Sequence, residues 1–247
     1  MSAPGSLQTL AFGDLGSELW GAALVHPART FVCLGAEGAV VSVEARLERT
    51  SPGEEWRVAG DRTELVAAPV AEPAKLGGDS IEGFDQLCRV SGRFLLGDRP
   101  YELSSLGCRG VRAGSSDVAQ YESLREVAAW FEPGDGLVVS AFRPRKSKGQ
   151  DADVVLAAVL GPERPPPVED PRLSTTYTAA GWPVRAGLEL WLTGEEEDRP
   201  QLRRAAGEAA GRRLEAAWGE FTVRAELFRW TSRGGAGAGV YLLASSR

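Results

Sequence analysis

The sequence predicts an all-β protein made of antiparallel strands, and two observations support that fold class. The 247 residues include 30 glycines and 15 prolines. Because each Gly or Pro inside a helix costs about 1 to 3 kcal/mol, this content favours a turn-rich β protein over a helical bundle. Apolar and polar residues also alternate with period two from Phe84 to Leu96, which is typical of a half-buried strand. With 43% hydrophobic residues, the chain can fill a substantial core.

The clearest local signal is a long β-hairpin between Phe84 and Gly110. The turn residues Gly97–Pro100 follow the alternating segment, so the chain from Tyr101 onward is predicted to return as the partner strand. The loop length decides how Cys88 and Cys108 are related. A three-residue loop would place them directly opposite each other, whereas a two-residue loop would place them on opposite faces.

The chain before this hairpin is predicted to be a meander of short strands. Residues 1–17 are small and polar, and we expect them to form a loosely held arm. Short apolar runs bounded by turn-forming residues follow this arm. The predicted strands are Leu19–Val25, Thr30–Leu34, Val40–Leu47, Trp56–Ala59 and Thr63–Val70.

Two later segments carry conflicting signals. Asp117–Phe131 has apolar residues at helical spacing and a start resembling a capping box, yet Pro133–Gly136 is typical of a hairpin turn, and we expect a strand. In Glu195–Ala217, the Ala, Arg, Glu and Leu content favours a helix after Pro200, although glycines weaken it. Helix and strand both remain open for this second segment.

The other C-terminal segments are predicted to be strands joined by irregular connections. Arg143–Gln150 is a basic, solvated loop, and the proline-rich Gly161–Pro171 is an extended connection. The glycine-rich run Arg233–Gly239 is predicted to be a flexible hairpin loop, because too little chain follows it for the helix that a phosphate-binding loop requires. The predicted strands are Val154–Leu160, Thr175–Thr178, Ala186–Leu192, Phe221–Trp230 and Gly239–Ala244.

Charge and composition disfavour several classes of function. The net charge of −6 argues against a nucleic-acid partner, and the chain has no apolar stretch long enough for a membrane-spanning helix. The three cysteines form no C-x-x-C pair, and with no recognisable signal peptide we expect reduced thiols in a cytoplasmic protein. His26 is the one histidine, so zinc sites and Ser-His-Asp triads are disfavoured. We expect no metal and no cofactor.

Two short motifs resemble a known family. Leu106-Gly107-Cys108-Arg109-Gly110, closing on Gly114, resembles the junction between the two β-modules of the lipocalin-like carotenoid 1,2-hydratase (hydroxyneurosporene synthase) superfamily. The last strand, with Gly237, Gly239 and Tyr241, is similar to that family's Gly-x-Gly-x-Tyr. The family's His-Ser-Trp run after Arg-Gly is replaced here by Val111–Gly114.

This resemblance implies two packed, antiparallel, lipocalin-like β-barrel or sandwich modules, at residues 1–114 and 115–247. It also implies an apolar ligand, isoprenoid- or polyketide-like, and hydration, dehydration or cyclisation if the protein is an enzyme. A sheet of about eight strands that closes on itself leaves room for one small ligand. The aromatic residues expected to line it are Tyr101, Tyr177, Trp191, Trp230 and Tyr241.

Glu189 and Arg109 are the candidate catalytic residues. Glu189 lies mid-strand among apolar neighbours, and a carboxylic acid that faces a dry barrel interior has a raised pKa and would protonate an alkene. Arg109 would orient a carbonyl or carboxylate, or else bind backbone carbonyls at the junction.

Two functions therefore stay open. One is a cofactor-free lyase, hydratase or cyclase, and the other is a non-catalytic carrier of a lipid-like ligand. An inward carboxylate beside a second polar group would favour the enzyme, and a uniformly apolar cavity would favour the carrier. A protein-interaction module, with a filled interior, is a third alternative.

Overall fold

Nearly all the regular structure is antiparallel β-strand, as the sequence predicts. The computed structural model describes residues 5–49, 54–77, 81–114, 118–131, 134–147, 153–162, 167–193 and 201–246. Within these residues there are two sheets, one forming a half-barrel and the other a nearly closed barrel. No helix among them is long and apolar enough to cross a membrane.

The first sheet contains ten strands from the N-terminal part of the described chain. They are β1 (Leu7–Asp14), β2 (Leu19–His26), β3 (Arg29–Ala36), β4 (Ala39–Ser42), β5 (Arg46–Arg49), β6 (Trp56–Gly60), β7 (Thr63–Pro69), β8 (Ala74–Gly77), β9 (Glu82–Leu96) and β10 (Arg99–Ala113). Their spatial order is β4-β3-β2-β1-β10-β9-β7-β6-β5, and β8 also pairs with β9.

The second sheet contains eight strands. They are β11 (Tyr121–Phe131), β12 (Asp135–Pro144), β13 (Val154–Leu160), β14 (Val168–Tyr177), β15 (Pro183–Leu192), β16 (Gln201–Trp218), β17 (Phe221–Ser232) and β18 (Gly235–Ser246). Their order is β13-β12-β11-β18-β17-β16-β15-β14. All strands before residue 114 belong to the first sheet, and all strands after it belong to the second. The division into two modules, 1–114 and 115–247, stays a prediction.

The predicted hairpin is present and closes through the two residues Gly97 and Asp98. The short loop sets the register, so Cys108 lies opposite Leu87, and Cys88 lies opposite Gly107. The two thiols therefore belong to opposite faces of the hairpin. Both are buried and free, as small core side chains.

Two expectations for the N-terminal part are wrong. Residues 7–14 of the expected loose arm form β1, a central strand between β2 and β10 whose side chains are mostly buried. The expected strand Val40–Leu47 is divided into β4 and β5, which occupy the two opposite edges of the sheet. Only three residues connect them, so the sheet must curl to bring its edges together.

Both segments with conflicting signals are strands. Residues 121–131 form β11 after a short 3₁₀ turn at Val118–Gln120, and Asp117 and Pro133 lie outside the described residues. Residues 201–218 form β16 despite their helical composition, whereas Glu195–Pro200 lie outside the described part. Pairing with both β15 and β17 outweighs the intrinsic propensity of this segment.

The irregular connections are shorter than predicted. β14 begins at Val168, inside the expected connection Gly161–Pro171, and tolerates Pro171 because it is an edge strand; residues 163–166 lie outside the described set. The expected loop Arg233–Gly239 is a tight turn followed at once by β18. Residues 148–150 of the predicted basic loop are also not described.

In the described part of the chain, the buried apolar side chains form three clusters. One cluster, with Trp56 and Phe94, fills the concave side of the first sheet. A second, with Phe228 and Trp230, fills the concave side of the second sheet. The largest lies between the two sheets, where the indole N–H of Trp130 donates to the carbonyl of Gly13 at 3.0 Å. Each sheet therefore has one face toward its own interior and one toward the other sheet.

Candidate functional site

The concave face of the second sheet carries an unexpected carboxylate. On β17, Ala225 and Leu227 face the other sheet, whereas Glu226, Phe228 and Trp230 face the concave side. Side chains alternate along a strand, so the position of Glu226 follows from the positions of the two aromatic residues. An acidic side chain is thus placed in an otherwise apolar interior.

Glu226 is only 2% exposed. It lies directly opposite Arg213 on β16 and Tyr241 on β18. The backbone N–H of Gly211, at a bulge in β16, donates to the carboxylate, while Oε2 has no hydrogen-bond partner among the described residues. Burial raises the pKa of Glu226 from 4.5 to about 7, against the opposing effects of Arg213 and the Gly211 amide. Near neutral pH, this group exists in both protonation states.

Tyr241 connects the middle of the sheet to its edge. Its hydroxyl lies 3.0 Å from Oγ1 of Thr175 and 3.1 Å from the hydroxyl of Tyr177, both on β14. Since β14 and β18 are separated by β15, β16 and β17 in the sheet, these bonds cross the concave interior. Burial is the main cause of the raised pKa of Tyr241, and neighbouring Tyr177 adds to it.

Trp230 and Phe228 pack beside Tyr241. The ring centroid of Phe228 lies 5.8 Å from the ring centroid of Trp230 and 5.6 Å from that of Tyr241. Glycine makes this packing possible: a Cβ on Gly239 would lie 2.5 Å from Nε1 of Trp230, and one on Gly207 would lie 2.8 Å from its ring. The indole nitrogen of Trp230 is buried and has no hydrogen-bond partner in the described part of the chain.

Partly exposed side chains surround the end of the concave side near Glu226. Tyr177 is 39% exposed there. Trp182, in the turn between β14 and β15, stacks against Arg213 at 4.8 Å and Arg224 at 5.5 Å, measured from each guanidinium carbon to the ring centroid. Arg224 also donates to the carbonyl of Gly181 at 3.1 Å. We call this set, Tyr177, Trp182, Arg213 and Arg224, the mouth of the second sheet.

Three of the five predicted ligand-binding aromatics share this concave face: Tyr177, Trp230 and Tyr241. Tyr101 belongs to the first sheet, where it stacks on Phe94 with ring centroids 5.6 Å apart. Trp191 lies on the outer face of β15, because its neighbours Leu190 and Leu192 face the interior. The structure therefore does not bring Tyr101 or Trp191 together with the other three.

Glu189 does not occupy the position that the acid role requires. Leu188 and Leu190 face the interior, so Glu189 faces outward, where its side chain is 40% exposed and pairs with Arg204 at 3.1 Å. Together with Gly187, it lines an open surface groove of about 540 Å³. The sequence expectation is corrected here, because an exposed, paired carboxylate lacks dry surroundings.

Arg109 is buried in the first sheet, away from the mouth. It donates to Oε1 of Gln86 through Nε at 3.0 Å and Nη2 at 2.7 Å, and to the carbonyls of Glu54 and Ala67. Its guanidinium also lies over Trp56, 5.0 Å from the ring centroid. Of the two roles considered for Arg109, this geometry matches the binding of backbone carbonyls.

Sequence reasoning missed Glu226, although a signal was available. Residues 221, 223, 225 and 227 are all apolar, which assigns Glu226 to the polar face. However, Phe228 and Trp230 have the same parity as Glu226 and are too large to stand exposed in succession. A strand with apolar residues on both faces is covered on both, and that observation would have identified the inward carboxylate.

Comparisons with known proteins bear on the fold. No protein-family model and no curated protein matches the chain. A solved structure provisionally designated AttH, from Nitrosomonas europaea, has a TM-score of 0.66 and 11% identity, covering 98% of this chain and 92% of that one. Kievitone hydratase from Nectria haematococca has a TM-score of 0.57 and 10% identity, covering 98% and 89% respectively.

These likenesses show that the two-sheet β fold is shared with both solved structures over nearly the whole chain. The identities are low, so the likeness concerns the fold alone. Membership of the carotenoid 1,2-hydratase superfamily itself stays a prediction.

Proposed function

We propose that the protein binds an apolar small molecule at the mouth of the second sheet, and that Glu226 is the acid if it acts on that molecule. The observation that carries the proposal is the inward, 2% exposed carboxylate of Glu226 opposite the buried hydroxyl-bearing Tyr241. This pair matches the sequence criterion for an enzyme: an inward carboxylate with a second polar group beside it. The ligand contacts are Tyr177, Trp230 and Tyr241.

Burial gives Glu226 the property that acid catalysis needs. With a pKa of about 7, a substantial fraction of the carboxyl is protonated at neutral pH. In a hydration, its O–H bond would break as the proton adds to an alkene carbon. Water would then attack the resulting carbocation and return a proton to the carboxylate, so that no cofactor is consumed. One of the solved structures with this fold is named for a hydratase.

A carrier is the second candidate function. It is favoured by the aromatic residues of the concave side, where Phe228, Trp230 and Tyr241 pack in one apolar cluster. The far end of the concave side is bridged by the ion pair of Arg203 with Asp135, so a ligand would enter from the mouth. In a carrier, Glu226 would act as a hydrogen-bonding partner for a ligand head group.

Native mass spectrometry of the purified protein for a co-purified apolar compound tests ligand binding. Titration with farnesol, followed by the fluorescence of the protein's tryptophans, gives an affinity for a defined isoprenoid alcohol. Tyr177→Leu is expected to weaken farnesol binding by roughly tenfold or more, because it removes an aromatic contact at the mouth. Tyr101→Leu is the matched control, since this tyrosine lies in the other sheet, and should bind as wild type does.

Catalysis is tested separately on any compound that co-purifies. Glu226→Gln is expected to abolish its conversion by the purified protein while retaining binding, and Glu189→Gln should leave conversion unchanged. Conversion that survives Glu226→Gln contradicts the acid role. The absence of both a co-purified compound and farnesol binding contradicts the enzyme and the carrier together.

A further inference from the structure

A second set of buried ionisable side chains lies between the two sheets. Arg112 on β10 is fully buried, and its Nη2 donates to Oδ1 of Asp85 at 2.9 Å and to Oε2 of Glu126 at 3.1 Å. Its Nε donates to Oγ of Ser140 at 2.8 Å, and that hydroxyl donates to Oε2 of Glu126 at 2.7 Å. We call these four residues the inter-sheet cluster. Arg112 and Asp85 belong to the first sheet, and Glu126 and Ser140 to the second.

The cluster has two carboxyl groups for one guanidinium. Asp85 is 1% exposed and Glu126 is 6% exposed. Bulk water therefore cannot stabilise a negative charge on either carboxyl group. One oxygen of each, Oδ2 of Asp85 and Oε1 of Glu126, has no hydrogen-bond partner among the described residues. An unpaired charge in such a place costs several kcal/mol, so a buried group of this kind keeps its proton.

Asp85 and Glu126 both line a small cavity of about 20 Å³. Its lining also includes Thr9 and Cys108, and otherwise apolar side chains. A space of this size holds a single water molecule. The positive charge of Arg112, which binds both carboxyl groups, disfavours a cation, and the two carboxyl groups disfavour an anion, so water is the occupant that the electrostatics allow.

We infer that Asp85 and Glu126 hold one proton between them, and that one water molecule in this cavity links their two remaining oxygens. The resulting cluster is neutral overall and ties the first sheet to the second. The inference is independent of the proposed function, because the cluster lies on the opposite face of the second sheet from Glu226.

The surroundings support a retained proton. Burial raises the pKa of both Asp85 and Glu126, while Arg112 opposes this for both. Asp85 further raises the pKa of Glu126 through charge repulsion. Cys108, the other titratable side chain among those lining the cavity, has a pKa raised well above its ordinary value and stays a neutral thiol.

A proton held more tightly in the folded than in the unfolded chain makes folding depend on pH. The contribution is fully present below the unfolded-state pKa, about 4, and is lost as the pH rises through the folded-state value. Over that interval the folding equilibrium constant falls by up to roughly tenfold for each pH unit. Glu226 adds a similar dependence, so all variants are compared in the Glu226→Gln background.

The experiment measures unfolding by urea from about pH 4 to pH 9 in that background. Asp85→Asn and Glu126→Gln each replace one carboxyl with a neutral amide, and each is expected to remove most of the pH dependence. Glu64→Gln, whose exposed side chain pairs with Arg93 on the surface, is the matched control and should leave the dependence intact. If both cluster variants keep the parent's pH dependence, the shared proton is contradicted.

A second measurement does not depend on whether the Asp85 and Glu126 variants fold. Infrared spectra of the Glu226→Gln protein with ¹³C-labelled Asp and Glu are expected to show a protonated carboxylic acid at pH 7. Fully ionised carboxylates at that pH would overturn the inference. A high-resolution crystal structure is expected to show the water within hydrogen-bond distance of both carboxyl groups, and an empty cavity would contradict the water link.

Discussion

Glu226 and Tyr241 lie directly opposite each other on β17 and β18, with both side chains on the concave face of the second sheet. Directly opposed residues have Cβ atoms about 5 Å apart, so a carboxyl and an aromatic ring are held side by side. Two hydrogen bonds from β14 fix the Tyr241 hydroxyl, and the Gly211 amide fixes the carboxylate. The proposed site is thus held in place by contacts from two other strands, β14 and β16.

Replacing Glu226 with Gln should remove part of the pH dependence of stability. The folded-state pKa of Glu226 is raised from 4.5 to about 7, so its stabilising contribution is present below about pH 4.5 and is lost as the pH rises through 7. Between these limits, the free energy of unfolding of the wild type should fall relative to that of the variant by up to about 3 kcal/mol. Urea denaturation at several pH values measures this, and parallel curves would contradict it.

Replacing Tyr241 with Phe should destabilise the protein by about 1 to 2 kcal/mol, because Thr175 and Tyr177 lose a buried hydrogen-bond partner. Amide hydrogen exchange in β14 should accelerate, since this edge strand loses its link across the interior. Tyr101→Phe is the control, because the hydroxyl of Tyr101 makes only an exposed contact with Glu37. Equal effects of the two substitutions would show that the link does not stabilise β14.

Replacing Arg112 with Gln should destabilise the protein by about 3 to 5 kcal/mol. Asp85 and Glu126 would remain buried without their cation, which is the costly way to break a buried ion pair. Arg93→Gln disrupts an exposed ion pair and should change the free energy of unfolding by less than about 0.5 kcal/mol. Chemical denaturation at neutral pH compares the two, and similar losses would refute the importance of the inter-sheet cluster.

Replacing Gly239 with Ala should destabilise the protein by roughly 1 to 3 kcal/mol through overpacking. The new Cβ would lie 2.2 Å from the carbonyl oxygen of Ala128 and 2.5 Å from Nε1 of Trp230, so backbone and ring would both have to move. Gly235→Ala, on the same strand, has its nearest atom at 3.5 Å and should be nearly neutral. Thermal unfolding distinguishes them, and a neutral Gly239→Ala would argue against tight packing around Trp230.

Strands with one buried face and one solvent-exposed face were predictable from the sequence. Burial on both faces of a strand, and a strand with helical composition, were not. The hairpin of β9 and β10 was evident because alternation and turn residues agree. By alternation Asp85 belongs to the polar face of β9, but the second sheet covers that face at this point and buries it. β16 has a helical composition, and only its pairing with two neighbouring strands reveals its conformation. Local propensity is weaker than the ladder of hydrogen bonds on both sides of a strand.

The sequence by itself determined the β-rich fold class, the long hairpin and most of the strands, because period-two alternation is a local property of the chain. Of the five aromatic residues predicted to line a ligand cavity, Tyr177, Trp230 and Tyr241 share one face of the second sheet, and Tyr101 and Trp191 do not. Only the tertiary structure decided that the carboxyl group of Glu226 is enclosed between Tyr241 and the bulge at Gly211. Glu189 and Glu226 both lie in alternating strands, but the curvature of the sheet turns one outward to solvent and the other inward against Tyr241. Burial depends on what covers each face of a strand, and that is set by residues far away in the sequence.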